Sequence, residues 1–460
     1  MDEKAMNWDK LLSAERINCD GKSVVDSDDD MRGPFARDYD RVLFSTAFRR
    51  LADKTQVFPI PENDHVHCRL THSIEVASVG RAVAKEVGRY ILSNHPALKP
   101  KYEASDFGDI VAAACLAHDI GNPPFGHSGE DAIKVFFARW LGKQKFEDKR
   151  QQGDLENFDG NPQGFRIISR LQNEKNGGLK LTAATLATFI KYPRPSLGPD
   201  SVQPKGKIYE KTGFFQSEQT LFQKVAEIVG LRPQGDDPTV YCRHPLAFLV
   251  EAADDVSNFI LDLEDAWRLG YVSQKYAIEL LKPIADLAAP EPKPTDEKEL
   301  IISLRARAFR VLRHEIVETF KANYASIIDG TRNFSLIDGK DEPSKAIPSH
   351  AAIAEIKKCS RRDIYSHKNV LKIEIPGYQV LSGLLEEILQ TIVIDPKDRS
   401  QREAKLIKLF GIEDGKEYEA GQPVYERALR ASDYVAGMTD SFAISQYQLI
   451  KGMKVDPTVK

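Results

Sequence analysis

The sequence predicts a mainly α-helical fold, and three observations carry that prediction. Apolar residues recur at helical spacing along most of the chain, as in Ile74, Val76, Val79, Val83 and Val87. Alternating β-branched runs are few, and no internal repeat appears. Joints rich in Gly and Pro, such as Gly121-Asn-Pro-Pro124, break the periodic segments where a helix would have to stop.

Taken in order, Trp8 to Ile17 reads as a short amphipathic helix, followed by an acidic stretch, Asp26 to Asp30. From Asp38 a helical pattern runs through Phe44, Phe48 and Leu51 to Phe58, and Pro59 and Pro61 end it. The loop Glu62 to Cys68 leads into the helix that carries His72. The apolar run Ile110 to Ala117 ends in His118-Asp119, and Ser128 with Asp131 reads as the cap of a helix reaching Leu141. Gln144 to Gly153 reads as an exposed loop, then Asn161 to Gln172 and Leu181 to Lys191 as helices. Tyr192 to Gly213, dense in Pro, Gly and Lys, is a long irregular segment of the kind that often carries function. A helix is expected from Pro245 to Arg268, and Ala289 to Thr295 reads as a linker. Beyond it Glu297 to Ile328, Gly377 to Ile394 and Gln422 to Tyr447 are helical, with Lys368 to Ile375 a candidate strand. The expected regions are therefore an N-terminal helical segment (1–64) packing on a central core (65–288), and a C-terminal mainly helical region (296–460).

Composition bounds the function. A net charge of −4 argues against a general nucleic-acid coat protein, so an anionic ligand must be met by local basic residues. The five cysteines are scattered, with no CxxC pair, which fits reduced thiols in a cytoplasm and no structural zinc site. The charged N-terminus lacks the apolar core of a signal peptide, and no run is long enough to span a membrane.

The chemistry concentrates on three helices. His72, the pair His118 and Asp119, and one of Asp254 and Asp255 are candidate metal ligands. Neighbouring residues on a helix point ~100° apart, so a His-Asp pair converges on one ion only near a helix end, which Gly121 to Pro124 supplies. Two imidazoles with carboxylates suit Mn, Fe, Co, Ni or Mg better than calcium. His127 stands at the entrance of the next helix, and Glu130 in its first turn is within hydrogen-bonding reach. Each residue alone reads more readily as structural; their combined spacing is what points to a site.

These motifs resemble the HD-domain deoxynucleoside triphosphate triphosphohydrolase (dGTPase) family. The resemblance lies in Phe44 to Leu51, Lys54 to Phe58, Arg69 to His72, His118 to Glu130, Gly160 to Gly164, Lys191 to Pro193, Gly213 to Glu218, Glu251 to Asp255 and Asp433 to Asp440. It implies cleavage of a dNTP between the 5′ oxygen and Pα, giving deoxynucleoside and intact triphosphate, with a divalent ion (Mn, Mg or another first-row transition metal) as cofactor. It implies metal ligation by His72, His118, Asp119 and Asp254, the last preferred over Asp255 because Asp262, a sugar-contacting position in the family, then lies two turns on. His127, oriented by Glu130, would protonate the departing oxygen. Arg69, Asn161, Lys191, Tyr192 and Lys211 would meet the phosphates or sugar, and Arg430, with Arg427, would complete the site from the same or a neighbouring subunit. The family's habit further implies a homo-oligomer, a hexamer among the options, and admits an effector nucleotide and single-stranded DNA as partners. Two departures stand out: Ala52 where the family usually has Gln, and Asn258 where a Tyr usually packs on the deoxyribose. The rival readings are an HD phosphohydrolase for a nucleoside monophosphate or alarmone, and a non-catalytic nucleotide sensor or single-strand binder.

Overall fold

The computed structural model describes residues 5–24, 31–58, 65–142, 148–173, 177–197, 206–289, 296–339, 342–394, 397–410 and 423–453. Among these residues the only sheet is one antiparallel pair of two-residue strands, β1 (Arg16–Ile17) and β2 (Ser23–Val24). The rest of the regular structure is helical. The N-terminal part holds α1 (Trp8–Leu11), α2 (Pro34–Leu43) and α3 (Thr46–Arg50). The core follows with α4 (Arg69–Asn94), α5 (Ala104–Ala117), α6 (Gly126–Leu141), α7 (Lys149–Glu156), α8 (Gly160–Arg166), α9 (Ala183–Phe189), α10 (Gln219–Val229), α11 (Ala247–Arg268) and α12 (Gln274–Ala285). The C-terminal part holds α13 (Glu297–Ala322), α14 (Tyr324–Ile328), α15 (His350–Cys359), α16 (Lys368–Val393), α17 (Gln401–Leu409), α18 (Val424–Ala436) and α19 (Asp440–Ile450). No helix of the described residues is long and apolar enough to cross a membrane.

Helix α5 is the axis of this arrangement. Every residue from Ile110 to Ala117 is buried, as expected of a helix that is apolar all round and enclosed on all sides. Truncating one of its large side chains, Leu116 for instance, would cost ~2–5 kcal/mol. Helices α4 and α11 pack against α5 and against each other, so the three carry their polar residues to one place. A large apolar cluster runs from Met6 to Val370 around them. A second cluster joins α6 to α16, α18 and α19 through Phe137, Leu381, Leu429 and Ala443.

Several local expectations are corrected. Trp8 to Ile17 is not one helix: α1 stops after Leu11, and Arg16 and Ile17 turn into β1. Arg16 forms a buried ion pair with Asp38, which the helical pattern did not anticipate. The helical run expected from Asp38 to Phe58 is two helices, α2 starting earlier at Pro34 and α3 capped by Ser45, then a 3₁₀ turn, Leu51–Asp53; Lys54 to Phe58 is not helical. Lys149 to Gly153 is helical and Gly153 is buried, so the exposed-loop reading fails there. Lys368 to Ile375 is helical, continuous with the segment after it. Pro376 lies within α16, exposed, where its missing donor faces water. Ser128 does not cap α6, which begins at Gly126 behind Phe125 in the left-handed region (φ 64°). The acidic stretch Asp26 to Asp30, the terminators Pro59 and Pro61, and nearly all of the expected linker lie outside the described residues.

Candidate metal centre and active site

His72 occupies the first turn of α4, His118 the C-cap of α5, and Asp254 the middle of α11. The Nε2 atoms of His72 and His118 lie 3.3 Å and 3.4 Å from Asp254 Oδ1. Donor atoms of these three residues all fall within 4.8 Å of one another. The loop after α5 keeps His118 at the helix end. Gly121 lies so close to α8 that a Cβ there would meet Gly160 O at 2.0 Å.

The donor chemistry fits a divalent cation. His118 Nδ1 lies 2.6 Å from Cys115 O, and a carbonyl can only accept, so Nδ1 carries a proton and Nε2 is the nitrogen that faces the cluster. Burial lowers the His118 pKa, but Asp119 and Asp254 outweigh it and raise it to about 9. Burial pushes Asp254 up, yet His118, His72 and Lys191 hold it well below the usual carboxylate range. The group thus favours positive charge at its centre. Asp119 stands at its edge, with Oδ2 3.5 Å from His118 Nε2. Asp119 Oδ2 accepts from Arg69 Nη1 at 2.8 Å, and Oδ1 accepts from Asn122. Burial opposes its charge, while Arg69, His118 and His72 bring it down to about 2. Asp255 stands outside the donor group and interacts with Lys191.

His127 lies in the first turn of α6 with its side chain 84% exposed. Its Nδ1 is 3.3 Å from Glu130 Oε2. Glu130 is buried, and its Oε1 accepts from Gly160 N at 2.8 Å. Burial would raise the Glu130 carboxyl, but the bond to His127 and the charge of Lys211 hold it well below its ordinary value. Nδ1 is therefore engaged and Nε2 left to the cleft.

That cleft, about 460 Å³, is lined by Arg69, Asp119, His127, Asp254, Asn258 and Asp262. Asn258 Nδ2 donates to Asp254 Oδ1 at 2.7 Å, and its Oδ1 accepts from Gln56 Nε2 at 3.2 Å. At the far end Asp262 Oδ2 accepts from Tyr365 OH at 2.8 Å. Burial raises the Asp262 carboxyl to about 7, with Tyr365 opposing and Asp265 adding to the rise. Phe125, Phe259, Val370 and Ile373 make the apolar wall, and Glu374 stands among them.

The remaining expected residues do not line this cleft. Lys191 Nζ approaches Glu251 Oε1 at 3.5 Å and lies 5.8 Å from the centre of the buried Tyr192 ring. Lys211 pairs with Asp159 at 2.8 Å, and Asn161 Nδ2 donates to the same carboxylate, so this pair sits behind Glu130. Arg430 is half-buried on α18, one turn after Arg427. The sequence reading missed Gln56, Tyr365 and Glu374. Gln56 lay in a quoted motif without a role, whereas nothing local marks the other two.

Comparison with known proteins agrees with this geometry. Residues 69–180 match the HD domain, and residues 347–449 the phosphohydrolase-associated domain. A deoxyguanosinetriphosphate triphosphohydrolase-like protein of Synechocystis sp. is 41% identical over 457 residues, covering 98% of this chain and 100% of its own length. The chain belongs to the HD-domain deoxynucleoside triphosphate triphosphohydrolase family. A like-named relative from Pseudomonas aeruginosa is 35% identical, over 97% of this chain and 99% of the relative. The deoxyguanosinetriphosphate triphosphohydrolase of Salmonella paratyphi A is 29% identical, over 91% and 94%. As a family member the chain is an HD-domain phosphohydrolase, and its His72, His118 and Asp254 form a group that could hold a metal ion.

Proposed function

We propose that this protein hydrolyses deoxynucleoside triphosphates, dGTP foremost, to deoxynucleoside and inorganic triphosphate. The observation that carries the reading is the pairing of a half-buried His-Asp donor group with a carboxylate-held histidine on one cleft. A binding protein has no use for such a proton donor, which counts against a sensor or single-strand binder.

His72, His118, Asp119 and Asp254 would hold a divalent ion, Mn, Mg or another first-row transition metal. Such an ion polarises a phosphoryl oxygen and acidifies water. Arg69 meets the α-phosphate side, already aligned by Asp119. Lys191 and Lys211, with Tyr192 and Asn161, supply the cation and hydrogen-bond capacity that a triphosphate demands and a monophosphate does not. His127 Nε2 gives its proton to the departing 5′ oxygen while Glu130 fixes the ring through Nδ1. Asp262 accepts from the 3′ hydroxyl, beside Asn258. Glu374 faces the apolar wall where a base would sit. Its two oxygens match the adjacent N1–H and N2–H donors of guanine, an edge that adenine, cytosine and thymine do not present together.

The test is a product assay on each of the four dNTPs with Mn or Mg, resolving triphosphate from pyrophosphate and phosphate. Deoxyguanosine and triphosphate in equal amounts are expected from dGTP. Release of dGMP with pyrophosphate, or hydrolysis confined to monophosphates, would overturn the reading.

A further inference from the structure

Beyond the cleft, three cations surround one buried carboxylate. Glu251 lies one turn before Asp254 on α11 and is buried. Arg243 Nη1 holds its Oε2 at 2.7 Å, in a guanidinium that is itself buried and whose Nε and Nη2 have no hydrogen-bond partner among the described residues. Its other oxygen, Oε1, has no hydrogen-bond partner, with Lys191 Nζ at 3.5 Å and Lys207 Nζ at 4.0 Å. Lys207 has a second neighbour, Glu210, at 2.6 Å, more than half exposed to solvent. Lys191 also interacts with Asp254 and Asp255, so the three cations are not in excess of the carboxylates around them. An ammonium carries three donors, and neither lysine spends one on Glu251 Oε1, so both keep donors that an anion between them could take.

The backbone that presents Lys207 is held in place. Lys207 N donates to Asn333 O at 3.0 Å, and Ile208 N to Asn333 Oδ1 at 3.1 Å. Gly206 has φ 125°, and a Cβ there would meet Asn333 Nδ2 at 1.9 Å, so only glycine lets the chain pass. A short 3₁₀ turn, Lys207–Tyr209, is thus tied to the C-terminal part and aims one lysine at the cluster. Lys191 connects the two places, because it also senses Asp254 and Asp255.

We infer that Lys207 binds the terminal phosphate of the substrate, the chain of phosphates running from the metal group past Lys191 to Lys207. This rests on the triphosphohydrolase reading above and adds a residue to it. A charge-assisted bond to a phosphate oxygen, lost on mutation, weakens binding by about tenfold or more. Because the contact is remote from the bond that breaks, it should act mainly on KM.

The experiment uses the Mn-loaded protein with inorganic tripolyphosphate as the probe. Calorimetry on wild type, Lys207→Met and Lys207→Arg should show tripolyphosphate binding weakened about tenfold in Lys207→Met and largely kept in Lys207→Arg. Deoxyguanosine binding should be the same in all three. In wild type, tripolyphosphate but not deoxyguanosine should shield Lys207 from amine acylation read by mass spectrometry, a measurement that needs no variant. Wild type that releases no triphosphate from dNTPs overturns the enzymatic reading. Wild type that does release it, with equal tripolyphosphate binding in Lys207→Met or with no shielding of Lys207, overturns this inference alone.

Discussion

His127 has one ring nitrogen committed to Glu130 and a mostly exposed side chain, so its replacement should disturb chemistry and little else. We expect His127→Ala to keep metal and fold while kcat falls ~10²–10⁴-fold, the usual contribution of a placed acid. Metal content and a melting curve alongside the turnover assay check this, and wild-type turnover would assign the proton elsewhere. Asn258 is less free than its position suggests, since both ends of its amide are bonded, to Asp254 and to Gln56. The family resemblance implies a Tyr ring against the sugar at this position, and Asn258 is the smaller side chain lining the same cleft. Asn258→Tyr should therefore raise the dGTP over GTP ratio of kcat/KM by roughly 3–10-fold; an unchanged ratio would mean that Asn258 does not set sugar choice. At this scale the sequence was informative where residues share a helix. Asp254, Asn258 and Asp262 sit one turn apart, and the resemblance, by making Asp262 a sugar contact, separated Asp254 from Asp255. Tyr365 was illegible because it reaches Asp262 from a distant turn, after the π-helical Ser360–Ile364.

Asp440, in the first turn of α19, joins two elements of the site at once. Its Oδ2 accepts from Thr55 N and its Oδ1 from Phe125 N, each at 3.0 Å. Phe125 is a bulky residue held at φ 64°, a conformation that needs such support, and it leads directly into His127. Lys54 closes the same junction from the other side, donating to Asn122 O at 2.6 Å and Ala436 O at 2.8 Å. Removing the Asp440 carboxylate strands two backbone donors, at ~1–3 kcal/mol each. We expect Asp440→Ala to lower stability by that order and kcat by about tenfold or more through the loop, with Asp440→Asn between it and wild type. Chemical denaturation and kcat measured on the same samples test this; a stability loss with kcat intact would make Asp440 purely structural. Long periodic helices such as α4, α5 and α11 were legible in sequence because burial of one face dominates them. Short or interrupted elements were not. Apolar residues at alternate positions, Leu371, Ile373 and Ile375, imitate a strand just before a proline, yet Val370 and Ile373 face the cleft on a helix. Arg16, which lies in β1 beyond the end of α1, pairs with the remote Asp38.

Across the whole molecule, the C-terminal helices are locked to the core by a buried ion network. Arg166 reaches both oxygens of Asp433, with its Nε at 2.9 Å from Oδ1, and pairs with Glu218 at 2.7 Å. The metal group sits inside this assembly, so its occupancy must register in global stability. Without metal, burial pulls the His118 pKa down, but Asp119 and Asp254 raise it from 6.5 to about 9. A group whose pKa is raised on folding stabilises the fold fully below its unfolded value and loses that contribution as pH rises through the folded one. Metal-free protein should therefore lose this contribution between pH 6.5 and 9. A metal ion takes the place of the His118 proton at Nε2, so its affinity must rise over the same window as that proton becomes easier to displace. At a hundredfold excess over Kd, bound metal stabilises by ~2.7 kcal/mol. Thermal melts with Mn and with chelator should thus diverge progressively from pH 6.5 to pH 9. In His118→Ala and Asp254→Ala the Mn-dependent rise in Tm should vanish together with activity. A Tm increment in wild type that is independent of pH, or one that survives in either variant, would remove His118 or Asp254 from the ligand set.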